Sequence, residues 1–227
     1  MTTFSLAGVE VPRIGLGTNR LTTDHVSFVR EAIEAGVRHI DTAHLYTGGE
    51  SERAIGEALD GVSADVLVAT KGGYRGASRG TLEAEIEQSL RSLRVDTIAL
   101  YYLHRVDPET PLEESLATIK EYVDQGAIQH VGVSAVSVEQ VERARAVLDI
   151  VAVQNRYNQA GREHDDVIDY CEQHGLAFVP YYPLSGDGAP SAQLAWLLKR
   201  SPVVLPIPGT LSIAHLRENL AALELQS

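Results

Sequence analysis

Residues 98–134 read IALYYLH RVDPETP LEESLATIKEYVD QGA IQHVGVS, and this stretch holds the unit from which the whole chain is built. Residues 98–104 form a short β-rich apolar run that ends on a polar residue, His104. The next run, Leu112–Asp124, puts Leu112, Leu116, Ile119 and Val123 at helical spacing. Thr110-Pro-Leu-Glu-Glu carries a hydroxyl suited to cap its first turn. Gly126 falls just past its end, where a left-handed residue is needed. Ile128–Ser134 is a second β-rich run and again ends on a polar residue. Working outward, the same alternation recurs eight times. Strands are predicted at 14–18, 39–43, 66–71, 98–104, 128–134, 151–156, 177–183 and 203–208. Helices are predicted at 24–35, 51–59, 81–93, 112–124, 137–148, 164–174, 191–199 and 212–223. Ser137-Val-Glu-Gln repeats the capping signal, and Gly36 and Gly175 repeat the terminator. Eight β/α units with short connections predict an α/β fold closed as a (β/α)8 TIM barrel rather than a doubly wound sheet. Phe4-Ser-Leu-Ala-Gly-Val-Glu-Val alternates around a glycine turn, which predicts an N-terminal β-hairpin able to plug the lower end of the barrel. No linker or composition shift interrupts the chain, so residues 1–227 are expected to form one domain. Such barrels usually need ~250 residues, so the loops must be close to minimal.

Composition narrows the function classes. The 227 residues are 44% hydrophobic and 22% charged, ordinary values for a chain with a packed core. Thirty-one acidic against 19 basic side chains give a net charge of −12, which argues against nucleic acid as a partner. The single cysteine, Cys171, cannot form an internal disulfide and fits a reducing compartment. It is expected to be inert packing, as Trp196 is expected to be core and the acidic run 83–87 a solvated helix face. No apolar stretch approaches the ~20 residues that span a bilayer. The start, Met1-Thr-Thr-Phe-Ser, lacks the charged and apolar regions of a signal peptide. The expectation is a cytoplasmic protein with neither membrane nor nucleic-acid partners.

In a barrel of this kind, function collects at the C-terminal ends of the strands. Those ends carry Gly17-Thr18-Asn19, Asp41, Lys71, His104, Ser134, Gln154-Asn155, Tyr181 and Gly209-Thr210. Tyr46, five residues past Asp41, lies on the following loop and can fold back over the same mouth. A carboxylate, an ammonium and an imidazole converging after apolar runs are costly unless paired and useful. An ammonium beside a phenol favours its ionised form and is expected to lower its pKa from ~10. The carboxylate holds the ammonium, and the phenol becomes a proton donor to a developing alkoxide while the imidazole orients the carbonyl.

These residues resemble those of the aldo-keto reductase superfamily. Ile40-Asp41-Thr42-Ala43-His44-Leu45-Tyr46 is similar to its second-strand motif, and Ala69-Thr70-Lys71 and Tyr102-Leu103-His104-Arg105 to its third and fourth strand ends. The resemblance spans nearly the entire chain. It implies a (β/α)8 barrel that reduces small-molecule carbonyls with NADPH. It also implies Tyr46 as general acid, tuned by Lys71 and Asp41, with His104 positioning the substrate. Gly132-Val133-Ser134 resembles the fifth-strand motif, whose serine bonds the nicotinamide carboxamide; the usual asparagine that follows is Ala135 here. Val153-Gln154-Asn155 resembles the sixth strand, whose glutamine holds the same group. Tyr181 resembles the tyrosine that stacks on the nicotinamide ring. Leu205-Pro-Ile-Pro-Gly-Thr210 with His215, Glu218 and Asn219 resembles the adenosine end of the site. Relatives often carry a lysine at the position of Gly209 and an arginine at that of His215. Thr18, Asn19 and Leu184 complete the implied cofactor set. NADPH is expected, with NADH as the alternative, and no metal site is implied.

The family's larger members fold long loops over the mouth. Here short segments follow His104 and Leu184, and the chain reaches Ser227 soon after the last helix. An open cleft bounded by Tyr46, His104, Asn19, Arg20, Arg105 and Tyr74 is therefore expected. Fast cofactor exchange at micromolar affinity should follow, on the order of −7 to −8 kcal/mol. Two other classes stay open at this point: a nicotinamide-sensing module resembling channel-associated subunits, and a metal-dependent barrel hydrolase using His39 and His44. Aldehyde reduction by the purified protein separates the first alternative, and stoichiometric bound metal the second.

Overall fold

The structure, a computed structural model, describes residues 2–185 and 188–226. Gly186 and Asp187, which belong to the short segment expected after Leu184, lie outside the described residues, as do Met1 and Ser227. The chain opens with strands β1 (Thr3–Leu6) and β2 (Val9–Pro12), paired antiparallel across Ala7 and Gly8, which both have positive φ. This is the expected hairpin. Seven further strands follow: β3 (Leu16–Gly17), β4 (His39–Asp41), β5 (Leu67–Gly72), β6 (Ile98–Leu103), β7 (Ile128–Ser134), β8 (Ile150–Gln154) and β9 (Ala177–Phe178). They form one parallel sheet in sequence order, which makes each strand the neighbour of the next.

The helices alternate with them. They are α1 (Val26–Glu34), α2 (Glu50–Ala58), α3 (Arg79–Leu93), α4 (Leu112–Asp124), α5 (Val138–Arg145), α6 (Asp165–His174), α7 (Pro190–Arg200) and α8 (Ile213–Ala221). Among the described residues, no helix is long and apolar enough to cross a membrane. Ser137 caps α5 as its sequence suggests: its Oγ accepts from Gln140 N at 3.3 Å while Gln140 Oε1 accepts from Ser137 N at 2.9 Å. Thr110 does not cap α4. Its hydroxyl donates to Asp107 instead, at 2.9 Å, and Pro111 takes the cap position. Gly36, Gly126 and Gly175 do adopt positive φ.

The expected eighth strand at 203–208 is absent as a regular strand. Pro206 and Pro208 have no N–H to donate, so a ladder cannot run through them. The segment makes isolated bridges instead, Phe178↔Val204 on one side and Gly17↔Gly209 on the other. Gly15 N and Gly17 N donate to the carbonyls of Pro206 and Pro208 at 3.0 and 3.2 Å. Gly17 is required there, because a Cβ would lie 2.7 Å from the carbonyl oxygen of Ile207. The observed sheet is thus seven curled parallel strands with a bridged segment between its edges.

Strand alternation sorts the side chains into two layers. Val68, Tyr101, Leu103, Val131, Val133 and Val153 face the helices, where they pack with residues such as Leu82, Ile86, Leu116 and Ile119. Leu67, Ala69, Leu100, Tyr102, Ala152 and Ala177 pack inside the curl. Leu6 and Val11 of the hairpin join this inner cluster, so the hairpin closes its lower end as expected. Gly132 fits the inner layer only without a side chain, since a Cβ would stand 2.4 Å from the Tyr102 ring. Cys171 is packing, fully buried, and burial pushes its thiol up to about 12. Trp196 is only half-buried and stacks on Tyr157. The acidic run 83–87 is not uniformly solvated, because Glu85 turns inward and accepts from Gly73 N at 2.6 Å.

Candidate active site

The inward positions at the top of the sheet are the polar ones. Asp41 ends β4, Lys71 lies on β5, Ser134 ends β7 and Gln154 ends β8. Each continues the inward parity of the residue two places earlier, His39, Ala69, Gly132 and Ala152 in turn, so strand alternation carries all four to one layer. Lys71 is fully buried; its Nζ donates to Asp41 Oδ1 at 2.6 Å and to the carbonyl of Thr42 at 2.7 Å. Gln154 Nε2 donates to the other Asp41 oxygen at 2.8 Å, which leaves Gln154 Oε1 as the acceptor toward the cavity side. Both oxygens of Asp41 are therefore occupied, and the pair is locked.

Tyr46 reaches this layer through a tight turn. Thr47, Gly48 and Gly49 have φ values of 49°, 65° and 85°, three left-handed residues in succession. Thr47 pays for this strain with its hydroxyl, which donates to the Leu21 carbonyl and accepts from Ser51 N at 3.1 Å. The turn brings the Tyr46 ring over Lys71, whose Nζ lies 5.1 Å from the ring centroid. His104 follows β6, and its ring lies edge-on to Tyr46 with centroids 6.1 Å apart.

The electrostatics correct one expectation. Burial raises the Tyr46 pKa, and it outweighs the opposing pull of Lys71, so the phenol is not made more acidic. Burial alone would lower Lys71, but the charge and hydrogen bond of Asp41, together with Tyr46, raise it. His104 is lowered to about 3, by burial first and then by Lys71 and Arg105. Its imidazole is neutral at physiological pH. Of its two nitrogens, Nδ1 is the one buried without a protein partner.

A cavity of about 790 Å³ opens above this layer. Asp41, Tyr46 and His104 line it, as do seven members of the expected cofactor set: Thr18, Asn19, Ser134, Gln154, Tyr181, Leu184 and Gly209. The Thr18 hydroxyl itself is engaged with the Asp41 carbonyl at 2.8 Å. Asn155 is buried outside the cavity. Its side chain clamps Val136, accepting from N at 3.0 Å and donating to O at 2.7 Å. Alternation explains this placement: if Gln154 points in, Asn155 must point out. Thr210, His215, Glu218 and Asn219 sit beyond the cavity wall, at the start and along α8, where Thr210 Oγ1 accepts from Ser212 N at 3.0 Å. Sequence reasoning missed Tyr182, which lines the cavity at 60% exposure with φ of 49°. Its neighbour Tyr181 drew the reading, and no sequence signal marks the backbone twist. No cluster of three metal-ligating side chains occurs among the described residues.

The comparisons agree with this geometry. Residues 13–193 match the model of the Aldo/keto reductase family. The chain belongs to that family. It is similar to pyridoxine 4-dehydrogenase of Escherichia coli, at 37% identity over 97% of this chain and 92% of the relative. An uncharacterized oxidoreductase of Schizosaccharomyces pombe is 33% identical over 99% and 85%. Among solved structures, a thermostable aldo-keto reductase bound to the inhibitor epalrestat superposes with a TM-score of 0.90 at 31% identity, covering 99% of this chain and 94% of that one. An aldo/keto reductase from Klebsiella pneumoniae in complex with NADP and acetate gives 0.88 at 28% identity, covering 98% and 90%. The chain is accordingly an oxidoreductase of the aldo-keto reductase type.

Proposed function

We propose that the protein reduces the carbonyl group of aldehydes or ketones to an alcohol with NADPH, NADH being the alternative nucleotide, and that Tyr46 delivers the proton. The observation that carries this reading is the buried Lys71–Asp41 pair against the Tyr46 ring, with Asp41 and Tyr46 both lining the cavity. The family membership and the NADP held by the Klebsiella pneumoniae relative support it. The residues fit the nucleotide: Ser134 and the free Gln154 Oε1 complement a carboxamide, and Tyr181 offers a ring face beside them. When bound there, NADPH supplies the hydride for the carbonyl carbon.

The chain's own groups do the rest. A phenol whose pKa is raised stays protonated at neutral pH, so its proton is available to a developing alkoxide. The negative charge then left on the Tyr46 oxygen falls beside the Lys71 ammonium, which Asp41 and the Thr42 carbonyl hold in place. Neutral His104 donates a hydrogen bond from its cavity side and orients the carbonyl oxygen. Thr18, Asn19, Leu184 and Gly209 wall the nucleotide, while Thr210, His215, Glu218 and Asn219 at α8 take its adenosine end, helped by the helix N-terminus. Asn155 contributes through the loop it holds. The same reading takes the bridged segment 203–209 as the eighth stave of a (β/α)8 barrel and residues 1–227 as one domain.

Tyr46→Phe is the direct test. It should lower kcat by about 10²- to 10⁴-fold, while NADPH affinity, followed by nucleotide fluorescence, stays within about threefold. Near-wild-type reduction would remove Tyr46 from its role. A protein that binds neither NADPH nor NADH would overturn the whole reading.

A further inference from the structure

The walls of the cavity are not electrically balanced. The chain as a whole carries −12, yet among the described residues the charged side chains lining the cavity are Arg20, Asp41 and Arg105. Asp41 is neutralised by Lys71. Arg20 leans toward the Gly209 carbonyl, at 3.4 Å, on the side of the expected nucleotide wall. Arg105 lies on the opposite side. Its guanidinium sits 4.7 Å over the Tyr74 ring, and Tyr74 in turn tilts against His104 with centroids 4.9 Å apart.

Among the described residues, no carboxylate lies within ion-pair distance of Arg105. The acid that senses it, Asp107, has its oxygens committed elsewhere: to Ala77 N at 2.8 Å, to the Thr110 hydroxyl at 2.9 Å and to Glu109 N at 3.1 Å. Six other arginines of the described residues, including Arg79, Arg143 and Arg200, do hold acidic partners. Because His104 is neutral, Arg105 is the one charge on its wall of the cavity among the described residues. An aromatic face holds a guanidinium by cation–π attraction while leaving its planar donor edge open.

We propose that the substrate carries a carboxylate a few carbon atoms from its carbonyl, and that Arg105, seated on Tyr74, receives it. This rests on the reading that the carbonyl is reduced at Tyr46 and His104. The guanidinium fork can bond a carboxylate or a phosphate through two parallel N–H groups, and the single unpaired charge on this wall balances a carboxylate monoanion rather than a phosphate dianion. Tyr74 sets the spacing between the two ends of the substrate.

The test uses matched aldehydes with NADPH: 4-oxobutanoate against its methyl ester, and 4-carboxybenzaldehyde against its methyl ester. The wild-type protein should favour the acid of at least one pair by about tenfold or more in kcat/KM, with the difference in KM. Arg105→Met should lower that acid-to-ester ratio about tenfold, Arg105→Lys should restore part of it, and raised ionic strength should shrink it. Equal use of acid and ester by the wild type, or a ratio unmoved in Arg105→Met, overturns the inference and leaves carbonyl reduction standing. Failure to reduce any of the four with either nucleotide sinks the reading of the site and this inference with it.

Discussion

At the scale of single residues, Ala135 shows how a missing side chain can be read twice. The sequence marks it as an absent amide in the expected nucleotide wall. The structure adds that it holds φ of 55°, a left-handed conformation that asparagine and glycine tolerate better than alanine. The two effects can be separated. Ala135→Gly should raise stability by roughly 1 kcal/mol with nucleotide affinity unchanged, whereas Ala135→Asn should raise stability and also tighten NADPH binding. Urea denaturation and fluorescence titration of both variants check this; a tighter-binding glycine variant would contradict it. Tyr46 carries the second prediction at this scale. Its pKa and that of Lys71 are both raised, so reduction should be flat through neutral pH and decline only on the alkaline side. Alcohol oxidation needs the phenolate and should increase over the same alkaline range. A fall in kcat/KM for reduction between pH 6 and 8 would show that another group supplies the proton.

At the scale of elements, Asn155 ties the end of β8 to the loop that follows β7. Asn155→Ala would orphan both backbone groups of Val136 in a buried place, at a cost of about 1–3 kcal/mol, and would loosen the loop carrying Ser134 and Ala135. Loss of stability should therefore come with weaker nucleotide binding, and unchanged binding in a destabilised variant would separate the two. This residue also marks the limit of what was legible. Periodicity located the eight α-helices of the described residues, and α4 runs over Leu112–Asp124 as expected, although Thr110 does not cap it. Strand extents were less legible, because apolar composition does not report where a ladder ends. Prolines cut β9 short at Phe178 and turned 203–208 into isolated bridges. For the site, the polar strand ends were legible since each follows an apolar run. What Asn155 and Glu85 touch was not, because their partners are backbone groups on other elements and leave no trace in local spacing. The burial that raises Tyr46 was hidden for the same reason.

At the scale of the whole molecule, the inner layer binds hairpin, sheet and site into one body, and His39 makes its stability depend on pH. His39 lies on β4, fully buried two residues below Asp41, and neither ring nitrogen has a protein partner. Burial is the first cause of its lowered pKa, with Lys71 adding to it and Asp41 opposing, and it falls to about 4. In the unfolded chain the same imidazole titrates near its ordinary value of 6.5. Between these values the unfolded state binds a proton that the folded state refuses, so stability rises with pH there. His39 thus contributes nothing adverse above about pH 6.5, and costs stability progressively as pH falls toward 4. The full difference corresponds to about 3 kcal/mol. His39→Leu removes the titrating group while keeping similar bulk beside Gly15, and it also removes two unpartnered polar atoms from the core. Urea denaturation at pH 7.5 should find the variant at least as stable as wild type. At pH 4 the variant's advantage should have grown by about 3 kcal/mol. Parallel loss of stability in both proteins would mean that the imidazole is protonated, or hydrogen-bonded, inside the folded protein, and the inner layer would then have to be redrawn around a charged His39.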